Sequence, residues 1–408
     1  MDLLTIITTL FCISALFSYL NERFIKLPGA IGVVTISVVV SILILIAGKT
    51  ENSLSKTITT LAGSINFSTV LLDVMLGLLL FASAIHFDYQ KLKEQRWPVV
   101  LLSTLGVVIS AFVFAALFYL VTLLLALNVP FIYCLIFGAL ISPTDPIAVA
   151  AIFKNSKISP RLHTIIAGES MFNDAVGLVL FVTLLEIANQ SGTTFTAGDV
   201  ATLFAHEVMG GVAIGLIAGY VGYRMIRSIK GFQTILIISV ALILAVSLIA
   251  QEFHASIPLA AVTAGLLIGN ESLDKANIAN KFLSRIWQLL DDVLNTILFV
   301  MIGLQLVVLP FLNNYWLVGL LSVIVILIAR LVSVSLPAVF LLRKVSVASL
   351  SILTWAGLRG GISIAMALSL PESPYREIII ASCYFIVIFS IIFQGLTLNR
   401  LIVKLRRQ

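Results

Sequence analysis

Charge is scarce in this chain. Asp, Glu, Lys and Arg make up 11% of its 408 residues, against 60% that are hydrophobic. A soluble protein of that balance would expose apolar surface far beyond what stays in solution. Cysteine is scarcer still: Cys12, Cys134 and Cys383 are odd in number and widely scattered, which excludes a disulfide framework or a thiolate metal site. There are four histidines. His206-Glu207 opens like H-E-x-x-H, but Gly210 stands where the second histidine would be, so the zinc motif is absent. The first twenty residues lack a basic stretch and an A-x-A cleavage site, so they read as a retained span rather than a signal peptide. No linker or low-complexity run separates a soluble domain, and 1–408 reads as a single transmembrane domain. The net charge of +6 sits in short loops rather than on one face, so it does not point to nucleic acid.

What the chain has in abundance is long apolar runs, and its mean hydropathy is +1.14. Runs of about 20 residues predict an all-α polytopic membrane protein embedded in lipid. Thirteen spans are expected, at about 2–20, 29–48, 67–87, 98–126, 130–153, 162–188, 200–226, 233–250, 255–270, 286–309, 315–342, 347–370 and 377–399. With the N-terminus placed outside, the inner loops hold 20 lysines and arginines and the outer ones hold three, Lys49, Lys56 and Arg376. The positive-inside rule then puts the C-terminus inside. "GGVAIGLIAGYVG", Gly210 to Gly222, repeats small residues at four-residue spacing and predicts close helix packing.

Against this background, a few charges inside spans stand out. A charge at a helix centre costs roughly 2.5–3.5 kcal/mol, so Asp145, Glu169, Asp174 and Arg359 are expected to pair or to bind something. Pro143 and Pro146 flank Asp145. The residue before a proline is pushed out of the α region, and each proline removes a donor, so "ISPTDP" predicts an extended break in span five. Such backbone is tolerated at membrane depth only where it is buried in protein or lines a cavity. The freed carbonyls near Thr144 are hard ligands for a cation, and Asp145 can offset half-helix N-termini. Ser170 and Asp174 are i,i+4 and share a face. Glu169, about 140° round from Asp174, points elsewhere and is expected to pair with Arg359. Gly357, Gly360 and Gly361 weaken span twelve around that arginine. Broken helices at matching positions point to an inverted-repeat secondary transporter. Its halves would be 1–190 (spans one to six) and 231–404 (spans eight to thirteen), joined by span seven at 200–226.

"SPTDPIAV", "GESMFNDAVG" and "GLRGGIS" together resemble the monovalent cation/proton antiporter-1 family, the NhaP-type sodium/proton antiporters related to the animal sodium/proton exchangers. The resemblance runs over essentially the whole chain. It implies crossing discontinuous helices in spans five and twelve, a homodimer, and a multi-pass protein of the cytoplasmic (inner) membrane that serves pH homeostasis. It makes Asp174 the carboxylate that carries ion and proton, preceded by Asn173. Ser170 and Thr144 would help hold Na⁺ with Asp174, Asp145 would sit at the crossing, and Glu169 and Arg359 would form a structural ion pair. One departure stands in span three. Where many members carry an acid in a run like "LLFEAAL", this chain has "LLLFASAI", with Ala82 at the acid's position and Ser83 beside it.

The implied activity is antiport of Na⁺ or Li⁺ against H⁺. One buried carboxylate can be neutralised by a proton or by a dehydrated cation, but not favourably by both, and alternating access then couples the fluxes. Asn173, in place of a second Asp, suggests 1:1 electroneutral exchange. No cofactor is expected beyond the transported ions, and the chain is not expected to be an enzyme; an intramembrane aspartyl protease would need two acids sharing a proton. A K⁺/H⁺ antiporter is the nearest alternative, kept open by Ala82, and a channel or ion sensor on the same fold is a more distant one. Asp73, Asp291 and Asp292 read as packing or interface acids with the ion path as the other option, and Arg330 as a possible partner of the last two. His86, His163 and His254 read as solvated residues at span ends, with pH sensing as the other option, and Glu186 and Glu252 read as span-end residues.

Overall fold

The computed structural model describes residues 3–47, 63, 66–145, 158–189, 197–271, 278–309, 315–341 and 346–405. Among these every regular element is helical. In chain order the spans are α1 (Leu3–Leu20), α2 (Gly29–Ala47), α3 (Phe67–His86), α4 (Arg96–Leu124), α5 (Phe131–Ile141), α6 (Pro160–Asn189), α7 (Ala197–Ser228), α8 (Phe232–Glu252), α9 (Ile257–Glu271), α10 (Ile278–Gln305) and α11 (Trp316–Leu341). Two half-helices come next, α12a (Val347–Trp355) and α12b (Gly361–Leu368), and then α13 (Arg376–Leu405). Ten of these helices are long and apolar enough to cross a membrane. With α5, α9 and the broken α12, they match the thirteen expected spans to within a few residues at most boundaries.

The outside of the bundle is as apolar as its inside. Leu124 is 85% exposed and Ile217 68%, and Leu4, Ile46 and Leu248 also face outward. In water such a surface would aggregate; in a bilayer it meets hydrocarbon. Buried apolar side chains form two clusters. The larger draws on α1 to α6 and α10 to α13; the smaller joins the second half of α3 to α8, α9 and the start of α10.

The glycine stripe of α7 packs as expected. A side chain on Gly211, Gly215 or Gly219 would run into Ser256, just before α9, or into Ala260, Thr263 or Ala264 within it. On its other side, α9 brings Gly265 and Gly269 against Phe81 and Ile85 of α3. Backbones approach this closely only where no Cβ intervenes. The result is a tight α7–α9–α3 layer that places one face of α3 against the site.

Candidate cation site at the helix crossing

Helix α5 stops where the prolines begin. The Ser142 hydroxyl bonds back to the Gly138 carbonyl at 2.7 Å, and residues 143–145 are non-helical. Pro146 and the second half of span five lie outside the described residues. In span twelve, α12a ends at Trp355, and the chain runs through Gly357 to Gly360 before α12b begins. The two breaks lie against each other. Asp145 N–H donates to the Leu358 carbonyl at 2.7 Å, and the Arg359 guanidinium donates to the carbonyls of Ser142 and Pro143, the latter at 2.9 Å. These freed backbone groups thus find partners across the crossing, as an apolar surround requires. From α13, Ser390 accepts from Arg359 N–H at 2.9 Å and donates to Gln394 at 2.6 Å; Gln394 in turn donates to the Trp355 carbonyl.

Charge follows the half-helix dipoles. Arg359 sits on the carbonyls that end α5. The Asp145 carboxylate occupies the space where a Cβ on Gly360 would lie, immediately before α12b. A cation at a helix C-terminus and an anion at an N-terminus each oppose the local partial charge.

From α6, Asn173 reaches the same break. Its amide donates to Thr144 Oγ1 at 2.7 Å and its carbonyl accepts from Thr144 N–H at 3.2 Å, while Thr144 and Ser170 share a hydroxyl contact of 2.8 Å. Beside this triad Asp174 is 2% exposed, and its Oδ2 has no hydrogen-bond partner among the described residues. Asp174 lines a cavity together with Asp145, Pro143, Ser83, Gly360 and Ser363. The rest of its lining is largely apolar, with Leu76, Leu79 and Leu80 of α3 and Leu298 of α10. Oxygen donors of this kind suit a hard monovalent cation or a proton.

The structure therefore brings together Asp145, Thr144, Ser170, Asn173, Asp174 and Ser83. Thr144 and Ser170 bond each other and Asn173, whereas Ser83 and Ser363 stand on the cavity wall. Ala82, at the position the family's acid would take, is buried and off the cavity lining. Asp73 lies on a π-helical turn of α3, exposed and away from the cavity.

One expectation is overturned. Glu169 pairs with Arg330 of α11, not with Arg359: the guanidinium donates to both carboxylate oxygens, Nη2 at 3.0 Å. Arg359 instead turns its Nη1 to the carbonyls of the span-five break, and its Nε and Nη2 have no hydrogen-bond partner among the described residues. Arg330 is likewise not the partner of Asp291 or Asp292; Asp291 accepts from Asn295 at 3.0 Å. A lone cation in the middle of span eleven was the signal for this pair, because Glu169 needs a positive partner at the same depth. Ser363, Ser390 and Gln394 carried no comparable signal, being ordinary polar residues in apolar helices.

The chain matches the model of the family described as "Sodium/hydrogen exchanger, transmembrane" over residues 8–404. It is 39% identical to the Na(+)/H(+) antiporter NhaP of Pseudomonas aeruginosa, over 98% of this chain and 96% of that protein. To the Na(+)/H(+) antiporter NhaH of Halobacillus aidingensis it is 30% identical, over 83% of this chain and 84% of that protein. Its fold is similar to that of the sodium proton antiporter MjNhaP1 from Methanocaldococcus jannaschii, with a TM-score of 0.78 at 21% identity and full coverage of both chains.

Proposed function

Because the chain belongs to the sodium/hydrogen exchanger family, we propose that it is a multi-pass antiporter of the cell membrane that exchanges Na⁺ for H⁺ at Asp174. The single observation that carries this is the buried Asp174 carboxylate. One of its oxygens is left without a partner, among the described residues, beside a cavity at the crossing of two broken helices. A bare charge there is costly, and either a proton or a dehydrated cation relieves it. The two occupants compete, and exposure to each side in turn couples their fluxes.

A charge count supports 1:1 exchange. Glu169 and Arg330 cancel each other. Asp145 and Asp174 face one cation, Arg359, which lies within electrostatic reach of Asp174. Among the cavity-lining acids and Arg359 one net negative charge remains, enough for one Na⁺ or one H⁺; Asp291, coupled to Asp145, is off the cavity lining. An electrogenic exchanger would feel about 2.3 kcal/mol per charge per 100 mV, and this one would not. The ligands of the bound Na⁺ are Asp174 with the hydroxyls of Ser170 and Thr144, which trade their mutual hydrogen bond for the ion, and Asn173 holds the break in place. Neither a resident cofactor nor enzymatic chemistry is needed. The N-terminus lies outside and the C-terminus inside, 1–190 and 231–404 form inverted repeats about the linking α7, and the protein works as a homodimer.

Dissipation of a preset pH gradient in everted vesicles, with Na⁺, Li⁺ and K⁺ added in turn, tests this reading. A Na⁺ or Li⁺ response supports it. The neutral wall at Ser83 favours a second reading, K⁺/H⁺ exchange, to which a response to K⁺ alone would move the function.

A further inference from the structure

In a continuous α-helix the N–H of Arg359 would bond to the carbonyl of Trp355, four residues back. In span twelve that rung is open, and two side chains of α13 stand in it. Arg359 N–H donates to Ser390 Oγ at 2.9 Å, the Ser390 hydroxyl donates to Gln394 Oε1 at 2.6 Å, and the Gln394 amide donates to the Trp355 carbonyl at 3.3 Å. The three bonds run in one direction, from the donor of the missing rung to its acceptor. Ser390 and Gln394 are 1% and 3% exposed, so the relay is shielded from bulk water.

The same peptide unit is held from its other side. The Leu358 carbonyl accepts from Asp145 N–H at 2.7 Å, while the N–H of that unit is Arg359's and goes to Ser390. One peptide plane therefore joins α13 to the residue whose carboxylate lines the cation cavity. Gly360, next in the chain, packs on that carboxylate. α13 pins Trp355 twice, through its carbonyl to Gln394 and through its ring N–H to Thr397 at 2.9 Å. Ser390 and Gln394 belong to a π-helical turn, Phe389–Gln394, and such turns are frequent at functional sites.

We propose that Ser390 and Gln394 are positioning residues for exchange, which hold the span-twelve rung open and, through the Leu358–Arg359 peptide, set where Asp145 and Arg359 stand at the crossing. Neither residue lines the cavity itself. Without the relay, the Arg359 N–H and the Trp355 carbonyl lose their partners. A buried donor and acceptor left bare are costly, and closing the rung between them satisfies both. Closure turns the peptide plane. It draws the Leu358 carbonyl off Asp145 N–H and the Arg359 guanidinium off the carbonyls of Ser142 and Pro143. The charges around the ion then shift, although none of them has been substituted.

Ser390→Ala and Gln394→Met break the relay without adding charge, and each is read in two ways. The transport reading rests on the antiport function proposed above. One buried hydrogen bond is worth about fivefold, so the apparent KM for Na⁺ is expected to rise about fivefold in each variant, with a melting temperature near that of wild type. A residue that served packing alone would lower the amount of active protein and leave KM where it was. Because the two side chains form one relay, the double variant is expected to match either single one, whereas independent contributions would multiply to about twenty-fivefold. An unchanged KM in both single variants overturns the proposal, and so does multiplication in the double.

The second reading needs no transport. Trp followed by Ala occurs once in the chain, at Trp355-Ala356, so carbonyl-¹³C tryptophan with ¹⁵N-alanine isolates the Trp355 carbonyl in spectra of the full protein in lipid. Its resonance is expected to move in Gln394→Met and also in Ser390→Ala, where the substituted side chain is not the carbonyl's own partner. A resonance that stays in place in Ser390→Ala overturns the relay. If no cation drives exchange in wild type, the antiport reading fails, and this resonance then decides whether α13 holds the break.

Discussion

Arg330 grips both carboxylate oxygens of Glu169 between α11 and α6, where Glu169 is fully buried and Arg330 is 5% exposed. The pair binds two long helices at the depth of the cavity. Removing one member strands the other charge, at about 3–5 kcal/mol. Arg330→Met is therefore expected to lower the melting temperature in detergent sharply, and adding Glu169→Leu to recover part of the loss. Equal melting of Arg330→Met and wild type would mean that the pair does not hold the helices. Because Glu169 is satisfied by Arg330, Arg359 is left to close the span-five break.

Asp174→Asn keeps the shape of the side chain and removes its ability to trade a proton for a cation. Na⁺-dependent dissipation of the pH gradient is expected to disappear, with the variant reaching the membrane and melting near the wild-type temperature. Residual exchange above a tenth of wild type would move the carrier role to another acid, Asp145 first.

The spans and the break were legible because each has a local physical cause. About twenty apolar residues make a span, and two prolines within four residues, Pro143 and Pro146, push the chain between them out of the helix. The glycine stripe of α7 was legible for the same reason, since small residues at four-residue spacing serve close approach. Pairing was not local. Glu169 had two cations available at membrane depth, and only the geometry of the crossing, which draws Arg359 onto Ser142 and Pro143, decides in favour of Arg330. Register inside α3 was also hidden. Its π-helical turn at Val70–Met75 rotates the later turns of the helix, and Ser83 rather than Ala82 is the residue on the cavity wall. An extra residue in one turn leaves no mark on hydropathy.

Gly360→Ala tests the fit at the crossing. A methyl there would overlap the Asp145 carboxylate, which packs directly on the glycine. The carboxylate has to move, and with it the charge that faces the start of α12b. Exchange is expected to fall at least tenfold while expression and melting change little, because few apolar contacts are lost. A variant with wild-type turnover would show that the position of Asp145 does not matter to transport.

Gly215→Val separates packing from ion handling. The Gly215 position is closed by the Ala260 carbonyl and the Thr263 side chain of α9. Overpacking of this kind costs about 1–3 kcal/mol. A lower melting temperature is expected, with an unchanged Na⁺ to Li⁺ preference in the protein that survives. A shift in preference would tie α7 to the ion site, which the geometry does not.

Ser83→Glu asks what the missing acid of span three would do. Ser83 stands on the cavity wall with Asp145 and Asp174, so a glutamate there adds a third carboxylate to a site that now has one net negative charge. Two outcomes compete. If the new side chain ionises, it offers a cation another oxygen ligand, and the apparent KM for Na⁺ is expected to fall several-fold, with Na⁺ gaining over K⁺. It also raises the net charge of the empty site to two, so a second proton must be bound when Na⁺ leaves, and exchange would begin to move charge. If the new side chain stays protonated, KM and charge balance both remain as in wild type. Turnover measured in proteoliposomes under an imposed membrane potential distinguishes the two. A voltage-sensitive variant with lower KM would show that the neutral wall at Ser83 is what keeps exchange electroneutral in this chain, and a variant identical to wild type in both respects would show that the added carboxyl stays protonated at the cavity wall.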